Sequence, residues 1–262
     1  MLEARFPVYL LDEDEIIENI NLRVLQEYFT RRIGTSLRAG WYFQQFLKMS
    51  VCNLSNVADH YLIWDSDTVL LQPLIFFDQD GRVLVNPKTE YHQPYFELIK
   101  KALGIEKQVG FSFISEHFMI NKSYMNELVC NFMTRSSSEI SWVELILNSI
   151  DDEHLFISGF SEFETYGNFV ALKYKDSFKC RSLKSTRYGS MHYGMNPNKY
   201  DIFNLMLAGY AFASFEVWQS ASKKRIAANK AISGIIYMSC LFLHRLTNRY
   251  SERLSASAEL CR

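Results

Sequence analysis

A chain of 262 residues that is 48% hydrophobic and 15% aromatic can bury a substantial core and is not the composition of a disordered segment. Its formal net charge of −1 excludes nucleic-acid binding driven by global charge. The charge is uneven, with seven acids against two bases in residues 1–30 and seven bases against one acid in residues 221–253. The five cysteines are scattered and form no CxxC pair, which points to reduced cytosolic thiols and away from a disulfide frame or zinc site. No basic-then-apolar leader pattern opens the sequence, and no uninterrupted apolar run reaches the roughly 18 residues of a membrane span.

In chain order, FPVYLL (Phe6–Leu11) reads as a short buried strand followed by an acidic loop. Thr35 and Ser36 are caps for a helix over Leu37–Ser50, where Trp41, Phe43, Phe46, Leu47 and Met49 recur at helical spacing. YLIW (Tyr61–Trp64) is a second buried strand. VLLQPLIFF and RVLV are extended runs joined by a turn at Asp80-Gly81. Helices are expected over 93–103, with Pro94 in the first turn, and over 122–133, 139–149 and 161–172. FSFIS and HFMIN read as extended, and Tyr200–Arg253 as mostly helical. Strands alternating with helices predict an α/β fold, a mixed sheet with crossover helices. The simplest parse is one domain over 1–199 and a helical C-terminal extension over 200–262.

Asp65 and Asp67 directly follow the strand YLIW. Residues two apart on a strand share a face, so both carboxylates can converge where the strand ends. In open α/β sheets that edge is where ligands bind. Two carboxylates there repel unless a cation joins them, and Mg²⁺ or Mn²⁺ takes oxygen ligands that it shares with substrate phosphates. A carboxylate pair capping a turn at Ser66–Thr68 is the bland alternative.

The strand-DSDT-strand pattern resembles the DxD signature of nucleotide-sugar-dependent glycosyltransferases of the GT-A fold. RAGWYFQQFLK (38–48), YLIWDSDTVLLQPLIFF (61–77), EYHQPYF (90–96) and SEFETYGNF (161–169), in that order, resemble the bacterial DUF6492-type group of glycosyltransferases. The resemblance implies a GT-A-like, Rossmann-type mixed sheet, a nucleotide-diphosphate sugar donor, a glycan or lipid-linked acceptor, Mn²⁺ or Mg²⁺, and work at the cytoplasmic side of a bacterial membrane. It also implies a base-binding strand ahead of the segment resembling Phe6–Leu11, which only five residues precede here.

Further positions follow from the same resemblance. Arg38, Gln45 and Lys48 lie near one helix face, where a basic residue would reach donor sugar or diphosphate; a solvated face is the alternative. Glu162 and Glu164 are the catalytic carboxylate candidates. Ser161 can cap their helix with Glu164 as the third residue of a capping box, so Glu162 is preferred for chemistry. MHYGMNPNK resembles a His-x-Gly…Lys element in which His192 would complete the metal site with Asp65 and Asp67, and Lys199 would meet phosphate. His117 could contact acceptor or donor, or be a core histidine. His92, with Glu90, belongs to a loop over the site. No GxSxG, GxGxxG or Walker A loop occurs.

The tail combines bases at 223–230 with an apolar run, Ile232–Leu243. A helix of that pattern over 223–253 can lie on a membrane surface, or pack against a core or a second copy of the chain. The readings from other classes are a non-catalytic nucleotide- or carbohydrate-binding remnant, and a metal-dependent nucleotide-sugar hydrolase.

Overall fold

The computed structural model describes residues 8–134, 140–219 and 222–259, with side chains through 243. Among these are α1 (Leu22–Ile33), α2 (Ala39–Ser50), β1 (His60–Trp64), β2 (Thr68–Leu70), β3 (Val83–Val85), α3 (Gln93–Leu103), β4 (His117–Asn121), α4 (Lys122–Thr134) and α5 (Trp142–Ser149). They continue with α6 (Asp152–Leu155), α7 (Glu162–Lys173), β5 (Phe178–Cys180), β6 (Ser185–Thr186), α8 (Gly189–Tyr193), α9 (Lys199–Leu207), β7 (Phe212–Ser214) and α10 (Lys223–Glu259). The fold is mixed α/β. Its described strands form three small sheets, β1–β4, β2–β7–β6 and β3–β5.

Local chemistry sets most helix ends. Asn21 accepts from the Val24 amide at 3.0 Å to start α1, and Gly34 ends it at φ 75°, a backbone conformation that glycine adopts without strain. Ser141 and Glu144 form a capping box on α5, and Asn198 with Asp201 forms another on α9. Pro94 lies in the first turn of α3, where its missing N–H costs nothing.

The chain divides into two compact units that are not consecutive in sequence. One comprises the described residues up to Ile63 and Phe76–Arg181; the other comprises Trp64–Ile75 and the described residues from Ser182 onward. The boundary drawn from sequence at 199/200 differs from the one at 181/182, because β6 pairs with β7, as β2 does. The first unit has a large aromatic core in which Phe46 packs 5.5 Å from Phe160 and 5.7 Å from Trp142, and Phe118 meets Phe163 at 5.3 Å. The second unit has a small one, Leu71, Leu205, Ala213 and Phe215.

Several expectations change. Val8–Leu11 is not a buried strand: it lacks strand pairing, and Leu10 is 96% exposed; Phe6 and Pro7 lie outside the described residues. The α2 helix begins at Ala39, with Arg38 at the cap position and no side-chain cap from Thr35 or Ser36. The Asp80-Gly81 turn forms, with Gly81 at φ 77° and its amide on Asp78 O at 3.1 Å. Its flanks meet at the bridge Phe77–Val83 and between Asp78 and Arg82, and β3 pairs in parallel with β5. The tail contains β7, a strand where helix was expected, because its Phe212–Ser214 completes the ladder of β2. Within α10, the segment Lys223–Leu243 is long and apolar enough by composition to cross a membrane, an 18-residue window of it having a mean hydropathy of 1.5. Counting only uninterrupted apolar residues had missed it, since Asn229, Lys230 and Ser233 break the run without lowering its average far.

Gly167, inside α7, lies under the Phe113 ring, and a Cβ there would come within 2.2 Å of it. Gly167→Ala is expected to force the ring aside and destabilise the first unit by roughly 1–3 kcal/mol. Thermal unfolding of the variant beside the parent checks this.

Candidate functional site

The DxD segment is a tight connection between β1 and β2. Its turn closes through the main chain, with the Thr68 amide donating to Asp65 O at 3.0 Å. The indole of Trp64 spans it, donating from Nε1 to Thr68 O at 2.8 Å. On the far side the Phe215 amide donates to Asp67 O at 2.9 Å, continuing the antiparallel ladder of β2 and β7. In that ladder Thr68 faces Ser214, and their buried hydroxyls lie 2.6 Å apart. The Asp65 main-chain carbonyl closes the turn, and the Asp67 carboxylate also accepts from the Thr68 hydroxyl at 3.4 Å. The Asp67 side chain is exposed and that of Asp65 half-buried.

Two carboxylate residues two positions apart on a tight turn suit a hard divalent cation whose other ligands come from a diphosphate and water. A third protein ligand is not assembled: among the described residues, no group of three or more His, Cys, Asp or Glu side chains could hold a metal. His192 is instead turned to α10. Its Nδ1 lies 3.2 Å from an Arg225 guanidinium nitrogen, and its carbonyl accepts from Asn229 at 2.9 Å. Partial burial and the Arg225 charge both lower the His192 pKa, so the ring is held neutral with Nδ1 accepting. The expected three-ligand set of Asp65, Asp67 and His192 is not brought together among the described residues. Lys199 begins α9, exposed, with its ammonium 5.2 Å from the Tyr200 ring.

In the first unit, Gln45 and Lys48 from one expected helix face meet Glu162 from a separate segment. Glu162, in the first turn of α7 and 3% exposed, meets Lys48 Nζ of α2 at 3.1 Å. The amide of Gln45, also from α2, lies against the same carboxylate. Oxygen facing oxygen would repel, so its nitrogen is the end that points there, donating to Oε1 at 3.0 Å. The Lys48 ammonium also lies 4.9 Å from the Phe163 ring. The positive end of the helix dipole adds to the stabilisation of the carboxylate.

Glu164 departs from its expected role. Ser161 Oγ does accept from the Glu164 amide, at 3.2 Å, but the carboxyl does not return to the cap as a capping box requires. It turns inward to Ser112 Oγ at 2.5 Å, the Phe113 amide at 3.2 Å and Asn168 Nδ2 at 3.1 Å. Burial pushes its pKa up, against these bonds and the Lys107 charge.

Arg38 and His92 serve a different neighbourhood. Arg38 donates from Nε to Ile157 O at 2.7 Å and from an Nη to Ser158 Oγ at 2.6 Å, with its plane 4.7 Å from Trp41. His92 Nε2 lies 2.7 Å from Ser158 O, and the Gly159 amide donates to the Tyr42 hydroxyl at 2.7 Å. Both side chains thus fasten the segment leading into α7; the solvated-face reading of Arg38 is replaced by a clamp. His117 opens β4, buried, with Nε2 3.2 Å from Arg181. Its pKa is lowered to about 4 by burial first, then by the charges of Arg181 and Lys88. It is a neutral core histidine whose Nε2 accepts.

A cavity of about 300 Å³ in the first unit escaped the sequence reading. Phe113, Phe118, Tyr166 and Phe178 form its apolar wall, while His60 and Asn121, 3.1 Å apart, contribute polar edges. Its lining comes from four separated stretches, so no local signal could have shown it.

The fold and this site define a mixed α/β protein carrying an Asp-x-Asp turn and a buried carboxylate–lysine–amide cluster. Residues 3–189 match the profile of DUF6492, a family of unknown function, and the chain belongs to that family. No curated protein matches it.

Removing one partner of a buried ion pair leaves the other charge uncompensated. Lys48→Met is therefore expected to destabilise the first unit by roughly 3–5 kcal/mol, and Lys48→Met combined with Glu162→Gln by less, as urea unfolding would report. His117 generates a pH dependence. Its folded pKa lies below its unfolded value, so its neutral form contributes stability above about pH 6.5 that is lost as pH falls towards about 4. Urea midpoints measured across that window should fall in the parent and fall less in His117→Asn.

Proposed function

We propose that this protein is a metal-dependent glycosyltransferase of GT-A type. It moves a sugar from a nucleotide-diphosphate donor to a hydroxyl of a glycan or lipid-linked acceptor, in bacterial surface-polysaccharide assembly on the cytoplasmic side of the membrane. The observation that carries this reading is the Asp65–Asp67 turn, locked by main-chain bonds at the end of a strand. Mn²⁺ or Mg²⁺ shared between these carboxylates and the diphosphate would neutralise the charge that grows on the leaving group. In the transfer, the bond from the anomeric carbon to the phosphate oxygen breaks and one to the acceptor oxygen forms. The acceptor proton must go to a base, for which Glu162 is our candidate, oriented by Lys48 and Gln45.

A second reading is a nucleotide- or carbohydrate-binding protein that retains the turn without turnover. The commitment of Arg38 and His192 to intramolecular bonds favours it. A nucleotide-sugar hydrolase would cleave donor with no acceptor present, which separates it from both.

Asp67→Asn should abolish Mn²⁺-dependent donor binding in calorimetry while the thermal midpoint stays near that of the parent. Unchanged donor affinity in this variant counts against the proposal. Glu162→Gln should lower turnover at near-constant donor affinity. If Glu164→Gln is the inactive variant while Glu162→Gln works normally, the two carboxylates have the opposite roles.

A further inference from the structure

The first described turns of α10 have two faces of different character. One packs on α8 and α9: the Tyr237 ring lies 4.9 Å from Tyr200 and 5.1 Å from Phe203, and Ser233 is fully buried. Polar bonds reinforce this side, with Asn229 donating to His192 O and Lys230 Nζ to Asn196 O at 3.1 Å. The opposite face carries Ile232, Ile235, Met238 and Phe242, each more than half exposed; Ile235 is 66% and Phe242 63% exposed. Their spacing of three to four residues makes a single stripe. Lys224 falls on the same stripe near its N-terminal end, beside Lys223 and Arg225, all exposed. From 223 to 243 the helix contains four bases and no acid.

We infer that α10 lies flat on an anionic lipid surface, with Ile232, Ile235, Met238 and Phe242 in the headgroup–acyl boundary and Lys223, Lys224 and Arg225 among the phosphates. An apolar stripe that starts at a cationic cluster matches the layering of such a surface, where apolar burial and charge attraction act together. A second copy of the chain would bring the same uncompensated cations and therefore fits the charge less well. A span across the bilayer is opposed by the packed face. Asn229 and Lys230 are bonded to the α8–α9 region, and immersing α10 would carry the polar cap residues Asn198 and Asp201 of α9 towards hydrocarbon. The inference stands on this geometry alone and does not need the transferase reading.

The test uses the full chain and sedimentation with vesicles of phosphatidylcholine alone or mixed with phosphatidylglycerol. The parent should bind the mixed vesicles, bind neutral ones weakly, and be released by salt, since screening weakens the charge attraction. Ile235→Asp combined with Phe242→Asp should abolish binding with an unchanged circular dichroism spectrum. Lys224→Glu should weaken binding to the mixed vesicles by roughly fivefold or more. The inference is overturned if the parent binds neither vesicle, or if the Lys224→Glu and double variants bind as the parent does. Resistance to alkaline carbonate would show a span. Conversion of a dimer to a monomer by the double variant, with no vesicle binding by the parent, would assign the face to a second copy. Unfolding of the double variant would make the stripe core, and Lys224→Glu still reports on the charge in that case.

Discussion

The buried carboxylate of Glu162 is the constraint on which the first unit depends. An ionised group in an aromatic interior is costly unless a charge and hydrogen bonds meet it. Lys48 and Gln45 from α2, together with the start of α7, meet that need. Because those partners sit three residues apart on one helix face, they fix α2 against α7 in rotation and along the axis. The aromatic layer of Phe46, Phe160 and Phe163 then packs around the contact. Glu164, two residues later, points elsewhere and joins α7 to the Ser112–Phe113 segment. Two carboxylates in one helical turn thus tie the same helix to two different neighbours.

The second unit works with far less core. Its small cluster of Leu71, Leu205, Ala213 and Phe215 supports a three-stranded sheet, and the Asp65–Asp67 turn is held mainly by backbone bonds and the Trp64 indole. Such a turn keeps its geometry through the main chain, with the Asp67 side chain exposed and that of Asp65 half-buried. The shortage of core has another consequence. A long C-terminal helix can cover only one face of α8 and α9, so its other face is left apolar and outward.

Much of the secondary structure was legible from local chemistry. The α3 helix falls on residues 93–103 because Pro94 starts it and Gly104 ends it in a left-handed conformation. The YLIW run is a strand because a short β-rich apolar segment is followed directly by turn residues. The strand assignment failed where pairing is remote. Val8–Leu11 has the composition of a strand but pairs with none of the described strands, whereas Phe212–Ser214 reads as part of a helical tail and is a strand because β2 lies beside it. The site residues divide in the same way. Gln45 and Lys48, read as part of one helix face, meet Glu162 from a distant segment, while Arg38 of the same face and His92 fasten the 157–159 segment.

By itself the sequence determined the α/β character, most helix limits and the position of the Asp-x-Asp turn, because capping, periodicity and turn propensity act over a few residues. Only the tertiary structure decided that Glu164 faces Ser112 and not its own helix cap, that His192 accepts from Arg225, that His117 is a neutral core residue, and which stripe of α10 is left uncovered. Each of those outcomes turns on a partner tens of residues away in the chain, and burial by such a partner sets both the charge state of a side chain and the direction in which it points.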